Sequence, residues 1–129
     1  MKKIIFSLVI ISLALLSFAS FSPEEKKEWQ MKQYFFVMLM KGDNRMQDST
    51  TTSKLQAGHM ANIEQMEKDG KLCLAGPFGD DGNWRGILIM DVKTIEEAKT
   101  LIDKDPAIQA GRLKYEIHPW WGGVGSKLK

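Results

Sequence analysis

LCLAGPFGDDGNWRGILIMDV, running from Leu72 to Val92, is the stretch from which the rest of the chain can be read. Leu72 to Phe78 reads as one strand and Trp84 to Val92 as another. The intervening Gly79-Asp80-Asp81-Gly82-Asn83 is a strong hairpin signal, because Gly, Asp and Asn tolerate the backbone angles of a tight reversal. Ile87-Leu88-Ile89-Met90 is apolar at every position, so the second of these strands carries apolar side chains on both faces.

Helical patterns flank this hairpin on either side. Upstream, Thr51, Thr52 or Ser53 caps a helix running to about Asp69, with Leu55, Ile63 and Met66 on one stripe and His59 on the same face. Asp69-Gly70 supplies its stop. Before that helix, Tyr34-Phe35-Phe36-Val37-Met38-Leu39-Met40 reads as a strand apolar on both faces, followed by a polar loop to about Thr50. Downstream, Thr94 with Glu97 three residues on forms a capping box for a helix with Ile95, Ala98, Leu101 and Ile102 inward. Asp105-Pro106 opens a short extra turn that stops at Gly111. Leu113, Tyr115 and Ile117 then alternate with Lys114, Glu116 and His118 in a last strand, which Pro119-Trp120-Trp121 ends.

The order is β-α-β-β-α-β, which predicts an α+β, ferredoxin-like fold: a four-stranded antiparallel sheet with helices on one face. Helices on one face leave the other uncovered, yet three strands are apolar on both. So large an apolar patch calls for a cover. The economical one is a second copy packing sheet to sheet, a homodimer through the open sheet face. The competing reading is a hydrophobic ligand cleft in a monomer.

The chain ends carry a different texture. Met1-Lys2-Lys3 is cationic, Ile4 to Leu16 is apolar except for Ser7 and Ser12, and Ser17-Phe18-Ala19 supplies the small residues of a cleavage site. That predicts a signal peptide over 1–19, cut before Ser20. The apolar run, about 15 residues, is shorter than the roughly 20 that span a bilayer. The expectation is therefore an exported protein, periplasmic or extracellular, with no stable membrane anchor after cleavage. Residues 20–32 read as a flexible leader, 33–120 as the domain and 121–129 as a loose tail. About 110 residues remain after the cut, enough for one modest core.

The formal charge is +2, and Lys2 and Lys3 leave with the signal, so the mature chain is near neutral. This excludes the concentrated positive field that nucleic acid requires. A single cysteine, Cys73, rules out a disulfide framework, and its apolar neighbours read it as a small buried hydrophobe. The eight methionines read as core filler.

Few polar residues are set against the core. His59, on an apolar stripe, must be neutral or paired. By spacing alone it is more often a satisfied core residue than a reactive one. With only two histidines in the chain and no ligand spacing, no metal site is expected. Asp105 before Pro106 reads as a helix N-cap, and capping alone explains it. If its carboxylate reached His59, it would fix the ring tautomer and poise the other nitrogen as a base. Gly76-Pro77 at a strand end reads as a pocket rim. Trp84 and Arg85 could stack on and charge-pair with an anionic aromatic ligand, although an ordinary hairpin explains them too. His118 reads as solvated or as part of a dimer seam.

The segment from about Gln33 to Trp120 resembles the YCII-related (YciI-like) domain family. The residues that carry the resemblance are His59, the run Gly70-Lys71-Leu72-Cys73-Leu74-Ala75-Gly76-Pro77-Phe78, the strand Gly86-Ile87-Leu88-Ile89, Asp105-Pro106-Ala107-Ile108-Gln109-Ala110-Gly111, and Tyr115-Glu116-Ile117-His118-Pro119-Trp120. The resemblance implies a dimeric α/β barrel and a histidine–aspartate pair in a pocket, at the positions of His59 and Asp105. Two departures stand out: Ala107 where members often carry phenylalanine, and an added export signal. Some relatives look like dehydrochlorinases or lactone-type isomerases acting on hydroxylated aromatic or cyclic compounds.

The function expected from these readings is a small enzyme without a cofactor. His59 and Asp105 would move a proton on a small cyclic or aromatic substrate, in a lyase or isomerase reaction, with Gly76, Pro77 and Arg85 holding it. The alternative is a non-catalytic small-molecule binding or sensing module of the same fold. A third reading is a structural protein whose sheet face meets another chain.

Overall fold

The computed structural model describes residues 28–129. The expected signal peptide and most of the leader lie outside the described residues. The chain forms β1 (Met31–Lys41), α1 (Ser49–Lys68), β2 (Leu72–Pro77), β3 (Trp84–Met90), α2 (Ile95–Ile102), α3 (Pro106–Gln109) and β4 (Leu113–Gly123). The sheet order is β2-β3-β1-β4 and every neighbouring pair is antiparallel. This is the expected ferredoxin-like arrangement.

Register explains the core. Val37 lies opposite Leu88 of β3 and Ile117 of β4, and Phe35 lies opposite Met90. These side chains share the face on which Met66, Ala98 and Ile102 from the helices pack. Val37 and Met90 are fully buried and Ile102 nearly so. Each such side chain contributes about 1.5–3 kcal/mol over its exposed state. The intervening residues Phe36, Met38, Ile87 and Ile89 fall on the opposite face and are half-buried.

Local sequence sets the element ends, with some differences from expectation. α1 begins one turn earlier than Thr51–Ser53, because Asp48 is the N-cap and its Oδ1 accepts the Thr51 N–H at 2.7 Å. A carboxylate there also meets the positive end of the helix dipole. The helix stops at Gly70, whose φ of 68° lets the Lys71 N–H reach the Met66 carbonyl at 2.8 Å. In α2 the Thr94 hydroxyl accepts the Glu97 N–H, whereas Glu97 accepts from the Lys93 N–H rather than from Thr94.

The first and last strands in chain order are longer than their composition suggests. β1 starts at Met31, inside the expected leader, and β4 continues through Pro119-Trp120-Trp121 to Gly123, inside the expected tail. The two extensions pair with one another, Met31 with Gly123 and Gln33 with Trp121. β4 is an edge strand, where a proline is tolerated. Cys73 also departs from expectation: it is exposed. The β2–β3 register shifts between Leu72 and Leu74, and that bulge takes Cys73 out of the inward alternation.

Candidate active site

The site is built where α1 meets α3. Gly58 makes that approach possible, since a Cβ there would lie 2.7 Å from Pro106 Cγ. The residues beside this contact are His59 and Asp105, and the close approach brings them together. His59 Nδ1 and Asp105 Oδ2 are 2.5 Å apart. The histidine is 9% exposed and the aspartate 3%. Asp105 therefore does both things the sequence allowed: its Oδ1 caps α3 by accepting the Ala107 N–H at 2.8 Å, and its Oδ2 holds His59.

The hydrogen-bond arithmetic assigns the tautomer. An ionised carboxylate only accepts, so in the neutral imidazole the hydrogen sits on Nδ1 and Nε2 carries the lone pair. Nε2 has no hydrogen-bond partner among the described residues, and no buried side-chain nitrogen or oxygen there is left unpartnered. Since His59 lines the adjoining cavity, Nε2 opens onto it. The pair thus presents an oriented base to that cavity.

That cavity is about 620 Å³, within the range of small-molecule sites. It lies between α1 and the β2–β3 end of the sheet, with Ile63 and Leu88 among its apolar walls. Gly76, Pro77 and Arg85, the other residues singled out from sequence, line the same space. Arg85, however, turns into its own hairpin loop: its Nη1 lies 3.2 Å from Asp81 Oδ1 and 3.4 Å from the Asp80 and Gly82 carbonyls. His118 is exposed and lies 3.6 Å from Glu116 on β4. Among the described residues no three His, Cys, Asp or Glu side chains converge as metal ligands.

Sequence reasoning missed two cavity residues, Arg45 and Arg112. Arg45 stands in the loop before α1 and Arg112 directly after Gly111, each in an irregular segment with no periodicity to point it inward. The loop is fixed by Gly42, whose N–H donates to the Arg112 carbonyl at 2.9 Å, and by Asn44, whose N–H donates to the Gly111 carbonyl at 3.0 Å.

Comparison with protein families gives a match to the YCII-related domain over residues 34–121. Comparison with curated proteins returns no significant match. Among solved structures, the chain is similar to 5-chloro-2-hydroxyhydroquinone dehydrochlorinase from Burkholderia phenoliruptrix AC1100, in complex with 2,5-dihydroxybenzoquinone. The two are 21% identical, with a TM-score of 0.51 over 67% of this chain and 92% of that one. At that identity the likeness is one of fold.

Proposed function

This chain belongs to the YCII-related domain family, and from that premise we propose that it is a cofactor-independent enzyme moving a proton on a small cyclic or aromatic substrate. The observation that carries this reading is the buried His59–Asp105 pair opening onto a 620 Å³ cavity. His59 Nε2 takes a proton from the substrate, and the imidazolium so formed is stabilised by the Asp105 carboxylate. Returning the proton to a different atom completes an isomerisation. Loss of an anionic leaving group with its electron pair completes an elimination. General acid–base catalysis of this kind contributes about 10²–10⁴-fold. Gly76 and Pro77 form one rim of the substrate site and Arg85 stands beside it.

The dehydrochlorinase of like fold makes chlorinated hydroxyhydroquinones the first substrates to try, followed by unsaturated lactones. On a compound that the protein converts, His59→Ala should lower kcat by about 10²-fold or more while the fold remains intact. A variant that keeps full turnover would remove His59 from the reaction.

We further propose that the open sheet face pairs with a second copy. Export with cleavage before Ser20 completes the reading, and the N-terminal mass of protein recovered outside the cytoplasm tests it. A mature chain that still starts at Met1 would refute it.

A further inference from the structure

The proton-transfer reading gives Arg45 and Arg112 no part. Both line the cavity with His59 and Arg85, and Glu67 is the only carboxylate among the lining residues. Among the described residues neither Arg45 nor Arg112 makes an ion pair, whereas Arg85 is paired with Asp81 at 3.2 Å. Two like charges at one cavity, neither held in an ion pair, repel each other and oppose folding. Desolvation by burial, and next the Arg112 and Arg85 charges, hold the Arg45 guanidinium below its ordinary range. The repulsion works against the fold, but an anionic ligand would be drawn to the two charges.

The two arginines are also held in place in advance. Arg45 Nη1 donates to the Arg112 carbonyl at 2.9 Å, and Arg112 Nη1 donates to Gln47 Oε1 at 3.2 Å. A guanidinium has five N–H donors, so each keeps donors for a ligand while one nitrogen is anchored. Its planar fork matches an oxyanion in two-point contact. We propose that Arg45 and Arg112 clamp an organic oxyanion, a carboxylate or an ionised ring hydroxyl, on the substrate that His59 deprotonates. This assignment of substrate class rests on reading the cavity as a substrate site. The clamp fixes which substrate atom meets Nε2 and stabilises negative charge left when the proton departs.

Calorimetric titration of the purified protein with benzoate and with the neutral benzamide tests the clamp without requiring turnover. Benzoate should bind tighter than benzamide by about tenfold or more, equivalent to about 1.4 kcal/mol. Arg45→Met and Arg112→Met should each shrink that preference, Arg45→Lys should retain part of it, and His59→Ala should leave it in place. Growth of the phenolate absorbance of 4-nitrophenol on binding would extend the site to ionised ring hydroxyls, and benzoate binding alone would confine it to carboxylates. Circular dichroism establishes that each variant is folded, and Arg45→Met decides the matter if Arg112→Met is not. Equal affinity for the two probes, no binding of either, or a preference that survives the arginine substitutions overturns the clamp. Those results leave the His59 reading untouched, because that reading is decided by turnover in His59→Ala.

Discussion

Asp105→Asn separates the two things that Asp105 does. In the native site Oδ1 accepts the Ala107 N–H at 2.8 Å and Oδ2 meets His59 Nδ1 at 2.5 Å. Asparagine has one carbonyl oxygen, and the Ala107 donor claims it. The amide NH₂ then faces His59 Nδ1 and donates, which drives the imidazole hydrogen onto Nε2. The nitrogen that opens onto the cavity loses its lone pair, and the site loses its base. Turnover should fall by on the order of 10²–10⁴. Stability should change little, because Asn caps a helix about as well as Asp. Replacing a charge-assisted hydrogen bond by a neutral one costs about 1 kcal/mol.

Asp105→Ala provides the contrast. It removes the cap, about 0.5–2 kcal/mol, and leaves a buried imidazole N–H unpaired, about 1–3 kcal/mol more. At about 4–8 °C per kcal/mol for a domain near this size, the alanine variant should melt on the order of 10 °C below the asparagine variant. The tautomer is read from imidazole ¹⁵N chemical shifts, and the chain has only two histidines to assign. An Asp105→Asn protein that keeps its hydrogen on Nδ1 would refute the reasoning, and so would one with wild-type turnover. Asp105 would then be a cap and nothing more.

Gly58→Ala should destabilise despite the better helix propensity of alanine. The propensity gain is about 1 kcal/mol, whereas a Cβ placed 2.7 Å from Pro106 Cγ must push the helices apart, at about 1–3 kcal/mol; a thermal midpoint above wild type would show that the crossing is not tight. Tyr115 donates to Asp103 at 2.6 Å, and burial followed by that hydrogen bond pushes its phenol up to about 12. The folded value lies above the ordinary one near 10, so the stability it contributes is complete below pH 10 and is lost as pH rises through about 12; an ultraviolet titration in which Tyr115→Phe leaves that late tyrosinate step unchanged would contradict this. Met38→Glu places a charge on the open sheet face between Ile87 and Glu116 and should yield a folded monomer by light scattering if a second copy covers that face; an unchanged dimer would place the interface elsewhere.

Much of the fold was legible because its signals are local. Asp-Asp-Gly between two β-prone runs, Thr94 with Glu97 at a helix start, and Gly70 at a helix end each act within a few residues. The strand ends were not, since Met31 and Gly123 are ordered by each other across the sheet, and Cys73 is displaced by a bulge that only the β2–β3 register creates. The site divides along the same line. His59 and Asp105 could be picked out singly, the first as a polar residue on an apolar stripe and the second as a cap before proline. Their union required the Gly58–Pro106 contact between residues far apart in the chain. Arg45 and Arg112 carried no signal at all, because a charged residue in a loop looks the same whether it faces solvent or a cavity. Sequence by itself determined the order of elements and the residues able to do chemistry, since both follow from periodicity and side-chain type. Tertiary structure alone decided which of those residues meet, because burial and distance between elements belong to the packed chain.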